Sequence, residues 1–238
     1  MSKLCKTILN DYYKTNIFKV TILYIVFGVL IFTFSNKNLS YINMVYYIMG
    51  HPYLIAFFLI PIVIFSTIKV LNCLNKNMII RFRTKQELIR SQFLLLISNT
   101  TTTFLLFIFI TLLFANLFAD RTNFILVDPY YSEINNLVGL IFCLIKLYLF
   151  LISINLLNVT CINILKGKWI VVIDIVILIS FLGYVPEKFD ILFPPHYLGY
   201  GYAFESFFQN FLLSALYLVS FFIISVFIFY KKLVNKNF

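Results

Sequence analysis

Two ionisable side chains, Lys146 and Asp174, fall inside long apolar stretches of the chain. A charge at the centre of a bilayer costs about 2.5–3.5 kcal/mol on insertion scales, so such residues face a bundle interior or water. Lys146 sits near the middle of its stretch, with Ser153 seven residues further on the same helical face. Asp174 sits about one and a half turns inside the next stretch. The chemistry open to them is a structural ion pair, a lysine that snorkels to the interface, or a substrate-path or gating pair.

A second polar group interrupts an apolar stretch at Ser98, Asn99, Thr100, Thr101, Thr102 and Thr103. Hydroxyls there can bond their own helix backbone or a neighbouring helix, so they point to helix packing or to a binding site. His51 and His196 stand alone, without partners for a metal. Cys5, Cys73, Cys143 and Cys161 form no CxxC pair, which argues against a disulfide framework or a zinc site. Glu205 and Gln209 lie one turn apart, as either a cationic-peptide contact or a solvated helix end. No Ser/His/Asp set, no HExxH and no GxxxxGK[ST] occurs. The expectation is a protein that is not an enzyme and carries neither cofactor nor metal.

The elements that position these residues are apolar helices. Of the 238 residues, 62% are hydrophobic and 12% charged, with a mean hydropathy of +0.96. Soluble domains run at about 45–50% apolar and about 25% charged. A hydrocarbon core needs about 20 helical residues, and six stretches meet that length or approach it: 17–34, 53–71, 93–117, 137–157, 169–184 and 211–230. The expected fold class is all-α: a single polytopic domain over 1–238 with six transmembrane helices. Pro61 should kink the second helix, because proline removes a backbone donor.

Charge fixes the expected orientation. Fifteen of the 19 Lys and Arg residues fall in one alternating set of segments, and only Lys37, Arg121 and Lys188 fall in the other. The acids Asp120, Asp128, Glu133, Glu187, Asp190 and Glu205 fall in that second set. Both termini of a multi-pass membrane protein are therefore expected in the cytoplasm, and the richness in Ile, Phe, Asn and Lys suggests an AT-rich bacterial genome, hence a bacterial plasma membrane. The +10 net charge is read as attraction to membrane lipid, not to nucleic acid, because it collects at the ends of apolar spans. Residues 1–14 repeat Leu4, Ile8 and Tyr12 on one face, with Cys5 and Leu9 beside them. That pattern predicts an amphipathic helix in the inner interface, against the alternative of a frayed tail. The outer loop 119–136 is acidic, and the outer loop 185–210 is aromatic enough to pack on the leaflet or dip into the bundle.

The loop between the second and third stretches holds the remaining signal. Thr84, Lys85, Gln86 and Glu87 fit a capping box, so a helix should start there and run on into the third span. Before it, Met78, Ile79, Ile80 and Phe82 interleave with Arg81 and Arg83. This is either a docking surface for a cytoplasmic partner or a charge cluster that only sets topology.

Six spans, an amphipathic N-terminal helix, a basic first cytoplasmic loop and a large outer loop between spans five and six resemble the permease subunit of a type 2 ATP-binding-cassette exporter. The small bacterial permeases of bacteriocin-immunity and peptide-export systems are the most similar. The run Ile80-Arg-Phe-Arg-Thr-Lys85 resembles the Arg-aromatic-x-Ser/Thr-basic pattern that such permeases carry before their third span. The resemblance implies that Met78, Ile79, Ile80, Arg81, Phe82, Arg83 and Lys85 couple to a separate dimer of ATP-binding subunits. It also implies a second permease subunit, identical or homologous, and export of an amphipathic peptide or lipid-like cargo. The alternative is a membrane immunity or assembly factor that transports nothing.

Overall fold

The computed structural model describes residues 3–34, 39–51, 54–73, 82, 84–119, 136–164 and 211–235. Within them, α1 spans Lys3–Tyr13, α2 Asn16–Phe34 and α3 Tyr41–Gly50. A π-helical turn, Ile55–Leu59, leads into α4, Ile60–Asn72. Then follow α5, Lys85–Phe118, α6, Asn136–Ile164, and α7, Phe211–Asn235. No β-strand occurs among the described residues. Helices cover five of the six expected spans, and the protein is all-α. The fifth expected span (169–184), the outer loop 185–210 and nearly all of 119–136 lie outside the described residues.

Local chemistry sets several of the helix ends. Thr84 stands extended, and its hydroxyl accepts from the Glu87 N–H at 3.2 Å, as the capping-box pattern requires. The 34 residues of α5 run about 51 Å at 1.5 Å per residue. A hydrocarbon core is about 30 Å thick, so α5 carries turns beyond what a bilayer needs. The helix α3 was not anticipated by periodicity. It begins at Ser40, whose hydroxyl accepts from Asn43 N–H at 3.5 Å.

The expected second span is interrupted just before Pro61 by the π-turn. Proline cannot supply the N–H that an α-helix would direct at the Phe57 carbonyl. The Tyr24 hydroxyl of α2 donates to that carbonyl at 3.0 Å. The approach of α2 to this turn is close because residue 28 is glycine. A Cβ there would sit 2.7 Å from Phe58 Cδ1 and 2.8 Å from Phe58 Cγ.

The described bundle exposes many large apolar side chains, and its mainly apolar interior also encloses polar residues. Val20, Leu23 and Phe27 of α2, Leu105, Phe109 and Leu117 of α5, and Ile223 and Phe227 of α7 are exposed. Thr21, Ser66, Asn99, Thr100, Asn155 and Ser225 are buried. An exterior this rich in large apolar side chains is unlike that of a water-soluble domain. Two helices, Asn16–Phe34 and Gln86–Phe118, are long and apolar enough to cross a membrane. Most of each faces outward, unlike the buried core helix of a soluble protein.

Contacts fix the relative directions of the helices. Phe34 meets Phe118, so α2 and α5 end together. Asn99 reaches Ser66, Asn155 reaches Thr100, and Phe93 meets Tyr230, so α4, α6 and α7 run opposite to α5. The starts of α2 and α5 and the ends of α4 and α7 thus share one end of the bundle. Lys19, Lys69, Arg90 and Lys231 all lie there. Lys69 and Lys231 stand over the exposed rings of Phe65 and Phe227, at 5.4 and 5.6 Å.

The amphipathic helix forms as expected, but protein rather than lipid covers its apolar face. Cys5, Ile8, Leu9 and Tyr12 cluster with Val70 of α4 and Leu95 of α5. Lys6, Asn10, Asp11 and Lys14 remain exposed.

Candidate functional site

At the basic end, polar residues from five helices gather in one buried hub. Asn99 of α5 donates from Nδ2 to Ser66 Oγ at 2.8 Å and to Thr67 Oγ1 at 3.0 Å, both on α4. Asn155 of α6 donates from Nδ2 to the same Thr67 Oγ1 at 2.7 Å and to Thr100 Oγ1 at 2.8 Å. Thr67 therefore accepts from two carboxamides on two different helices. Thr100 and Ser66 send their own protons to the Leu96 and Val63 carbonyls.

Tyr12 of α1 closes the hub from the fourth side. It is 1% exposed, and its hydroxyl faces those of Thr21 on α2 and Ser66 on α4 without reaching hydrogen-bond geometry with either. Burial pushes the Tyr12 phenol above its ordinary pKa, so it stays protonated. Next to it, Tyr13 and Thr102 share a hydrogen bond of 2.9 Å between α1 and α5.

Two hub atoms, Tyr12 Oη and Asn155 Oδ1, are buried with no hydrogen bond, as are both amide atoms of Asn158, three residues further along α6. Asn155 and Asn158 are 0% exposed. A buried polar group left unsatisfied costs about 1–3 kcal/mol. The hub is thus partly satisfied, and it is electrically neutral, being built from hydroxyls and carboxamides alone. It offers hydrogen bonds, not charge, nucleophiles or a proton acceptor of useful basicity. Among the described residues, no group of three or more His, Cys, Asp or Glu side chains gathers to hold a metal.

The four consecutive threonines serve helix packing in every direction around α5. Each hydroxyl donates to the carbonyl four residues earlier. Thr100 also accepts from Asn155, Thr101 pairs with Tyr148 Oη at 2.6 Å, and Thr102 pairs with Tyr13. Both behaviours expected of such residues, self-bonding and interhelical bonding, occur together.

Lys146 is 5% exposed and faces the bundle interior, beside the buried Leu147 and Phe150 of the main apolar cluster. It precedes Asn155 by nine residues on α6, about 13.5 Å along the axis, so it is separate from the hub. Asp174 lies outside the described residues, as do Met78, Ile79, Ile80, Arg81 and Arg83. Lys85 opens α5. Phe82 is half-buried and packs against the cluster that Cys5, Ile8, Leu9 and Tyr12 of α1 form with Val70 of α4 and Leu95 of α5.

Cys5 and Cys73 form no disulfide with each other. Burial first, and the neighbouring Asp11 carboxylate second, push the Cys73 thiol above its ordinary pKa. On the opposite end, His51 sits between the rings of Phe32, at 4.2 Å, and Tyr47, at 4.9 Å.

Sequence reasoning found Asn99 and Thr100 but not their partners Ser66, Thr67 and Asn155. The available signal was a polar residue standing alone in an apolar stretch, as at Thr21, Asn155 and Asn158. Which of these face one another is a matter of helix rotation. Compared with known protein families, with curated proteins and with solved structures, the chain finds no match in any of the three.

Proposed function

We propose that the chain is the membrane-spanning permease subunit of a bacterial ATP-binding-cassette exporter. It would cross the membrane six times with both termini in the cytoplasm. It would pair with a second permease, identical or homologous, and with a dimer of cytoplasmic ATP-binding subunits. The cargo would be an amphipathic peptide or lipid-like molecule, moved outward.

One observation supports this reading above the others. Phe82, within the mixed Arg-apolar run, packs on the cluster that α1 forms with Val70 of α4 and Leu95 of α5, just before the Thr84 cap starts α5. A push on residues 78–83 would reach that cluster through Phe82 and α5 through its cap. From α1 it would reach the hub through Tyr12. The basic residues at this same end support its assignment to the cytoplasm.

The test is co-purification. Changing Arg81 and Arg83 together to Glu should release a co-expressed ATPase while membrane insertion is kept. Arg offers a fixed fork of donors to carboxylates, and reversing its charge removes both attraction and geometry. If the complex survives with unchanged ATPase activity, the loop sets topology only. The chain is then better read as a non-transporting immunity or assembly factor.

A further inference from the structure

Two helices reach the basic end on the same surface pattern. On α4, Phe57, Pro61, Phe65 and Lys69 follow at intervals of four residues, and on α7 Val219, Ile223, Phe227 and Lys231 do the same. Steps of four lay each set along one slowly turning stripe. Pro61 is half-buried, and the other apolar members are 43% to 63% exposed. Each stripe rises about 18 Å from its first residue to its lysine. Half of a hydrocarbon core is about 15 Å deep, so each stripe matches one leaflet and ends on a cation.

Helix direction turns both lysines towards their stripes. Helical side chains lean towards the helix N-terminus. Because α4 and α7 run towards the basic end, a lysine near the end of either leans back over the apolar stripe instead of out into water. Lys69 Nζ lies over the Phe65 ring at 5.4 Å and Lys231 Nζ over the Phe227 ring at 5.6 Å. A ring covers one side of an ammonium that has three donors, and it sets that ammonium at the border of the stripe. Lys19 gives the contrast. It lies near the start of α2 at the same end, four residues before the exposed Leu23. The same rule leans it away from its apolar neighbour.

We propose that Lys69 with Phe65, and Lys231 with Phe227, form two binding sites for an anionic phospholipid in the leaflet at the basic end. An acyl chain lies along the stripe, and the lysine holds the headgroup phosphate. A lipid of the phosphatidylglycerol type is the complement, because a zwitterionic headgroup already offsets its phosphate with its own cation. This inference rests on the chain crossing a membrane and is independent of its being a transporter.

The test uses the full chain in vesicles, with its single tryptophan removed by Trp169→Phe. One fluorescent reporter is then placed by Phe65→Trp, Phe227→Trp or, as the contrast, Leu23→Trp. Tryptophan keeps a ring beneath each lysine. Quenching by brominated phosphatidylglycerol, compared with brominated phosphatidylcholine, gives the lipid preference at each reporter. The preference for phosphatidylglycerol at positions 65 and 227 should exceed that at position 23 by about fivefold, which is about 1 kcal/mol. Adding Lys69→Gln should bring position 65 down to the level of position 23 and leave position 227 unchanged, and Lys231→Gln should do the reverse. Equal preference at all three positions, or a preference unmoved by its own Lys→Gln change, would overturn the proposal and leave only diffuse attraction to the basic end. Quenching by neither lipid would overturn it together with the membrane placement of these faces. If the reporters fail to fold, thermal unfolding in neutral detergent decides. Added phosphatidylglycerol should raise the Tm of the unaltered chain more than phosphatidylcholine does, and Lys69→Gln with Lys231→Gln should abolish the difference. No such difference in the unaltered chain would overturn the proposal.

Discussion

Thr67→Val is the sharpest probe of the hub, because valine keeps the shape of threonine and removes only the hydroxyl. Thr67 Oγ1 accepts from Asn99 at 3.0 Å and from Asn155 at 2.7 Å. The substitution therefore strands one N–H on each carboxamide. Each amide keeps its other bond, to Ser66 and to Thr100. Interhelical hydrogen bonds in a membrane bundle average about 0.6 kcal/mol and reach about 1.7. Two of them place the expected loss at about 1–3 kcal/mol. Thr160→Val is the matched control. Thr160 is equally buried, but its hydroxyl donates only to the Leu156 carbonyl of its own helix. That carbonyl keeps its backbone partner, so the control should move stability by less than about 0.5 kcal/mol. Reversible unfolding in mixed detergent–SDS micelles, followed by circular dichroism, measures both. Adding Asn155→Leu to Thr67→Val should recover part of the loss, since the stranded amide is then absent. Equal effects of the two Thr→Val changes would refute the hub as a cooperative interhelical unit.

Three further outcomes are expected. Gly28→Ala should destabilise by about 1–3 kcal/mol, because its Cβ overlaps the Phe58 ring and overpacking of that kind is costly. That loss outweighs the helix-propensity gain of about 1 kcal/mol, and a more stable variant in the same unfolding assay would show that α2 does not approach the π-turn. Thr84→Ala should cost about 1 kcal/mol of stability while Thr84→Asp keeps the cap, and hydrogen exchange of the first turn of α5 reads the difference directly. Burial pushes the His51 imidazole below its ordinary pKa, so the unfolded chain binds the proton more readily. Stability should then be full above pH about 6.5 and fall as pH drops below that value towards the lowered folded pKa. His51→Gln should flatten that part of a stability-versus-pH profile, and an unchanged slope would exclude His51 as its source.

The sequence by itself pointed to an all-α chain with helices long and apolar enough to cross a membrane, but not to α3. Apolar runs separated by sorted charges require helices with apolar exteriors, because only local backbone bonding satisfies amides in lipid. The same one-dimensional reading placed the start of α5, since Thr84 and Glu87 are three residues apart and a cap is a local structure. It also placed the disturbance at Pro61, since a missing N–H is a property of one residue. It could not say that Tyr24 of α2 would donate to the Phe57 carbonyl beside that proline. Nor could it say that α1 would lay Tyr12 towards Ser66 instead of lying free in the interface. Only the tertiary structure decided that Thr67 serves Asn99 and Asn155 together. Helices that are apolar nearly all round carry almost no amphipathic signal to fix their rotation. Which rare polar residues meet is set by the packing of whole helices, where small residues such as Gly28 and interhelical hydrogen bonds select one arrangement.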